Sequence, residues 1–254
     1  MKKVTLTLAA LAAALLLSAC GGGGSSDPAP TTPTVTLADY AGVWTGSATG
    51  AGGTAQATAL IRPDGKAWLL GVNQATNVIS FSVGTASYSA GSINLASTSY
   101  ANITGSAPTP VEGKLTGAAK GTLVGTGRAV GTSSDAAVSI GFDATASAKT
   151  MSLADAVGSY NGYLAGNNGT AQFTTFIVTA DGSITATLDG GCKTTGKLTV
   201  NGPALDVAFT TDAATCNGAR SNTGIAVFDG KGTGLVAVVS ADKLSGAVVA
   251  LTKK

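Results

Sequence analysis

Along the C-terminal half of the chain, apolar and polar residues alternate in short runs near 159–166, 170–179, 183–189, 192–200, 204–211, 222–228, 233–240 and 244–251. A period of two places successive side chains on opposite faces of a half-buried strand. Between the runs fall Asn168-Gly169, Asp181-Gly182, Asn201-Gly202, Asn217-Gly218 and Asp229-Gly230, pairs that tolerate the positive φ of tight hairpin turns. Eight strands joined mostly by such turns predict an up-and-down antiparallel meander, and eight strands suffice to close a sheet into a small barrel. An open sandwich is the alternative. The N-terminal half begins the same way, with strands near 43–49, 54–61 and 66–72 and a further alternation, V-I-S-F-S-V, at 78–83. Its middle, 77–104, is rich in Ser, Gly and Tyr and harder to register. Residues 106–110 are expected as a loop, because both of their prolines lack the donor that a ladder needs.

The two halves are copies. LADYAGVWTG at 37–46 recurs as LADAVGSYNG at 153–162, an offset of 116 residues. GTAQATALIRPDG at 53–65 recurs as GTAQFTTFIVTADG at 169–182, at the same offset until one residue is inserted ahead of the Asp-Gly. Shared order and register imply two homologous β modules, 35–150 and 151–254, with each LAD opening forming a short helical turn before its first strand. Trp44 aligns with Tyr160, each two residues after a glycine, and the pair is expected to plug one end of its barrel. Gly42-x-Trp44 resembles the G-x-W that opens lipocalins, which implies a lipocalin-like barrel and, through it, a carrier of fatty ligands. The rest of the lipocalin pattern, a T-D-Y motif and an Arg on the last strands, is missing.

Ahead of the modules, Met1-Lys2-Lys3 and the apolar run 4–17 read as a cleaved signal peptide, 1–19. The run is short for a spanning helix, which needs roughly 20 apolar residues. L-S-A-C at 17–20 resembles the bacterial lipobox, a likeness that implies Cys20 becomes the lipidated N-terminus. By the sorting rule of that family, Gly21 in place of Asp favours the outer membrane. The stretch 20–34 then reads as a tether, flexible in its Gly-Ser part and extended in its Pro-Thr part. It would hold the modules off the membrane at the periplasmic face or the cell surface.

Composition narrows the chemistry. The chain has 254 residues, 36 of them Gly, 11% charged, with no His and a single Glu, Glu112. Each interior Gly costs a helix roughly 0.8–1.0 kcal/mol relative to Ala, so the composition also favours β. Without His there is no imidazole base, no Ser-His-Asp or Cys-His relay and no His-ligated zinc. No catalytic residue, no metal ligand set and no cofactor is assigned, and an enzyme working through Asp, Ser or Tyr ranks last. Asp64, Asp181, Asp189 and Asp229 each precede Gly and are expected in turns rather than as a calcium site. The Gly-rich runs 125–127 and 230–234 do not fit a phosphate loop opening a helix. Cys192 and Cys216, the only cysteines after Cys20, are expected to form a disulfide in an oxidising compartment, worth roughly 3–4 kcal/mol for a loop of this length. Loss of Lys2 and Lys3 with the leader leaves thirteen cationic and thirteen acidic side chains. That balance argues against nucleic acid as a partner.

Lipobox, Gly/Ser tether and Gly-rich antiparallel modules with aromatic first strands together resemble a group of proteobacterial outer-membrane lipoproteins. The barrel domains of the transferrin-binding protein B and factor H-binding protein families share that architecture. The resemblance implies a non-catalytic binding or structural role towards a protein or envelope partner, with the membrane engaged through the N-terminal lipid. The alternative is a lipocalin-like carrier holding a small apolar ligand inside a barrel.

Overall fold

The computed structural model describes residues 34–254; the leader, Cys20 and the rest of the tether lie outside the described residues. The first eight strands are β1 (Gly42–Gly50), β2 (Gly53–Ile61), β3 (Lys66–Asn73), β4 (Val78–Ser89), β5 (Ser92–Ala101), β6 (Thr109–Gly117), β7 (Thr122–Ala129) and β8 (Ala136–Phe142). The next eight are β9 (Gly158–Gly166), β10 (Gly169–Val178), β11 (Ser183–Leu188), β12 (Lys193–Asn201), β13 (Ala204–Thr211), β14 (Ser221–Phe228), β15 (Thr233–Ser240) and β16 (Gly246–Lys253). Each set is an antiparallel meander closed on itself, β8 on β1 and β16 on β9. The protein is therefore all-β with two tandem eight-stranded barrels. Closure decides for barrels over sandwiches.

Both LAD segments form the expected helical turn, a 3-10 turn at Leu37–Tyr40 and the helix α2 at Leu153–Ala156. The same device starts each. The Asp39 carboxylate accepts the Thr36 N–H (2.8 Å) and hydroxyl (3.1 Å), and the Asp155 carboxylate accepts the Ser152 N–H and hydroxyl (2.9 Å each). These bonds satisfy donors that a helix start leaves without partners. They also hold both carboxyls below their ordinary pKa. Between the barrels, α1 (Ala144–Ala148) is capped by Asp143, whose side chain accepts the Ala146 N–H at 2.8 Å.

Two details differ from the sequence reading. The inserted residue of the second copy is absorbed within β10, where the register slips between Phe173 and Phe176, not just ahead of Asp181-Gly182. The bulge brings both rings to the inner face although they are three residues apart. Pro110, expected in a loop, is the second residue of β6 and lies opposite Thr98. A strand start tolerates the missing donor, and the Pro110 carbonyl accepts the Val130 N–H at 2.9 Å.

The barrels also share a core outside their own interiors. Outward side chains of β3 to β5, among them Leu70, Phe81, Val83 and Tyr100, pack against Ile225, Leu235, Ala237, Val239 and Val248 of β14 to β16. Gly246 makes room for the aromatic pair: a Cβ there would lie 2.6 Å from the Tyr100 ring and 2.7 Å from that of Phe81. Asn167, almost fully buried, ties the seam. It accepts the Gly105 N–H on its carbonyl (2.9 Å) and the Gly246 N–H on its side chain (2.9 Å). Its amide donates to the Ser106 and Leu244 carbonyls. Residues 35–254 thus form one unit of packing.

Candidate ligand-binding site

Each barrel is closed at the end where its helical turn lies. In the first, the Trp44 indole N–H donates to the Tyr40 carbonyl (3.0 Å), and the Tyr40 hydroxyl reaches across to the Gly117 carbonyl (3.0 Å). Tyr88 stacks on Tyr40 and Phe142 meets Trp44 edge-on, both at 5.2 Å between ring centroids. In the second, the Tyr160 hydroxyl donates to the Ala156 carbonyl at 2.8 Å. Tyr160 packs against Phe176 and Phe228. Trp44 and Tyr160 are both fully buried, and each bonds the carbonyl four residues before it. Burial, with a smaller effect of Asp229, pushes the Tyr160 phenol up, so it remains a donor.

Beyond the plugs the two interiors diverge. Phe173, Phe176, Phe209 and Phe228, with Val, Leu and Ile side chains around them, fill the second barrel, leaving about 230 Å³ at its mouth. The first barrel has no such rings in its open half. Many inward positions there are Gly, Ala or Ser: Gly46 and Ala48 on β1, Ser80 and Ser82 on β4, Ser97 and Ser99 on β5, Gly125 and Gly127 on β7. Of these, Ala48, Ser82, Ser97 and Gly127 line a cavity of about 470 Å³ whose floor is Leu69, Leu95, Leu115 and Val138. At its rim, Arg128 and Glu112 form an exposed ion pair at 2.6 Å, with Asp135 nearby. The hydrogen bond that Arg128 donates to Glu112, more than the charge of that carboxylate, holds the Arg128 guanidinium above its ordinary pKa.

A cavity of this size, apolar at the bottom and open at one end, suits a small ligand. Its lining residues were not singled out by sequence. The signal was present in the Ser- and Gly-rich stretch 77–104, where the residues left small are the inward alternates of β4 and β5.

The remaining candidates are structural in position. Cys192 and Cys216 are bonded, Cα atoms 4.7 Å apart, and join the β11–β12 turn to the β13–β14 loop. The Asp181 carboxylate accepts from Ser183, Thr179 and Lys197, which hold it far below the ordinary carboxylate range. Asp229 accepts the backbone N–H groups of Thr233, Lys231 and Gly232 and is lowered to about 2. Asp64 accepts the Lys66 N–H in its turn. Among the described residues no three Cys, Asp or Glu side chains gather to hold a metal ion, and no helix is long and apolar enough to cross a membrane. The chain matches no family model, no curated protein and no solved structure.

Proposed function

We propose that the protein is a lipid-anchored, non-catalytic binding protein of the outer membrane, with Cys20 as its anchor and the first barrel as its ligand-binding module. The observation that carries the binding role is the asymmetry of the two interiors: one barrel is packed with phenylalanines, while its copy keeps a lined cavity of about 470 Å³. Copies that share the same plug, cap and topology have no packing reason to differ in this way, and a core left lined with Gly and Ser forgoes burial that Phe or Leu would supply. The floor of leucines and valine favours a small apolar ligand. A protein partner, the other reading, would meet the rim rather than the cavity, and the Arg128–Glu112 pair is the polar feature it would find there. The complete absence of His supports a role without acid–base catalysis.

Titration of the mature chain with N-phenyl-1-naphthylamine, a neutral fluorescent probe of apolar sites, tests the cavity. Saturable uptake of one probe per chain, abolished in Ser97→Phe, supports the reading; no uptake, or uptake that survives Ser97→Phe, removes it. Native mass spectrometry of protein purified from its own host would then weigh the natural ligand. For the anchor, palmitate labelling and membrane association are expected in the native chain and lost in Cys20→Ser.

A further inference from the structure

A second cleft, of about 570 Å³, lies on the outside of both barrels, where β3 to β5 face β12 to β15. Arg62, at the tight turn after β2, lies at its wall and is only 5% exposed. Its Nη1 meets the Asp206 carboxylate of β13 at 2.6 Å, and the other oxygen of Asp206 accepts from the Asn201 amide at 2.8 Å. Nε and Nη2 are buried with no hydrogen-bond partner among the described residues. They are the two nitrogens of one edge of the planar guanidinium, so their N–H groups run parallel, in the fork that matches the two oxygens of a carboxylate. A buried charged donor left in this state is costly, and two on one edge of one side chain describe a binding edge better than an accident of packing.

The surroundings specify the ligand further. Asp206 is the single acidic side chain lining the cleft, against Lys66, Lys197 and Lys243. Lys197 is engaged by Asp181 and Lys66 lies 3.8 Å from Asp64, whereas Lys243 makes no ion pair among the described residues. Trp68, Val83 and Val239 give the same cleft apolar walls. A phosphate dianion would sit against the Asp206 charge without enough donors to offset it, and a neutral lipid would leave the fork empty. We propose that the inter-barrel cleft binds the carboxylate of a small amphiphilic acid, with the Nε–Nη2 edge of Arg62 as its anchor and the Trp68 wall holding its apolar body. The site is separate from the first barrel's cavity.

Octanoate is the probe, with octanol and inorganic phosphate as comparisons, titrated into the mature chain by calorimetry. Saturable 1:1 binding of octanoate is expected, with octanol and phosphate at least about tenfold weaker. Arg62→Lys keeps the charge and removes the fork, and should weaken octanoate by about tenfold or more. Asp206→Asn removes the competing charge and should strengthen it severalfold, a gain that an ion pair serving only to join the barrels would not produce. Near-ultraviolet circular dichroism checks that each variant keeps its packing. Ser97→Phe, which fills the other cavity, should leave octanoate binding unchanged, so the two sites stand or fall separately. No saturable octanoate binding, equal binding of octanol or phosphate, or full affinity in a folded Arg62→Lys would overturn the proposal.

Discussion

Trp44 and Tyr160 perform one task with different atoms. An indole N–H and a phenol O–H each reach back four residues to a carbonyl at the end of the helical turn, so one contact fills the barrel base and fixes how the chain enters it. The ring and the bond are separable. Trp44→Ala empties a fully buried site and should cost about 3–5 kcal/mol. Tyr160→Phe keeps the ring and should cost only about 0.5–1.5 kcal/mol; urea denaturation of both variants measures the difference. Asp229 works at the same scale. Its folded pKa is depressed from 3.8 to about 2 by N–H donors of Thr233, Lys231 and Gly232. Its contribution is therefore complete above about pH 4 and is lost as pH falls from there through about 2. Thermal midpoints should drop across that window in the native chain and less steeply in Asp229→Asn, with the carboxyl carbon shift of Asp229 reporting the titration directly.

Within the strands, certain glycines set how sharply a sheet can turn. A methyl group on Gly125 would fall on the Lys114 carbonyl oxygen of the neighbouring strand, and one on Gly46 or Gly84 would meet Ser139 or Ala96 in the same way. At Gly141 the nearest atom, the Thr45 carbonyl oxygen, is 4.0 Å away. Gly125→Ala should therefore cost about 1–3 kcal/mol through overpacking, while Gly141→Ala should be close to neutral, compared by chemical denaturation. Strands were legible in the sequence where this alternation was clean: the eight of the second barrel start and end within two residues of the runs read there. The slip inside β10 was not legible, because an insertion can be placed anywhere between two aligned segments until both Phe173 and Phe176 are seen to need the inner face. The stretch 77–104 resisted reading for a related reason. Its inner positions towards the open end, Ser80, Ser82, Ser97 and Ser99, are small, so the usual contrast between apolar and polar faces is inverted there: Phe81 and Tyr100 point away from their own barrel.

That inversion belongs to the whole molecule, since the outward aromatics are the seam. The plug residues and the disulfide could be assigned from one module at a time, but the seam and the Arg62–Asp206 pair exist only once two modules meet, and no local pattern announces them. β15 carried a trace in its nearly unbroken apolar run, Leu235 to Val239, buried on both faces. Because the seam couples the barrels, the native chain should melt in one calorimetric transition. Phe81→Ser, which removes an outward ring without touching either interior, should split that transition into two; a single transition in the variant would show that the seam does not carry the coupling.

In each barrel the pairing that completes the sheet joins its first strand to its last, with Trp44 opposite Phe142 and Tyr160 opposite Lys253. Every other pairing is between strands adjacent in sequence. Chain growth from N- to C-terminus thus leaves seven strands waiting, with an open flank on β1 or β9, until the eighth is made. Closing such a distant pair is slow relative to making hairpins. The vulnerable interval in the life of this protein is accordingly the time before closure, when β1 or β9 offers its backbone to any extended chain nearby.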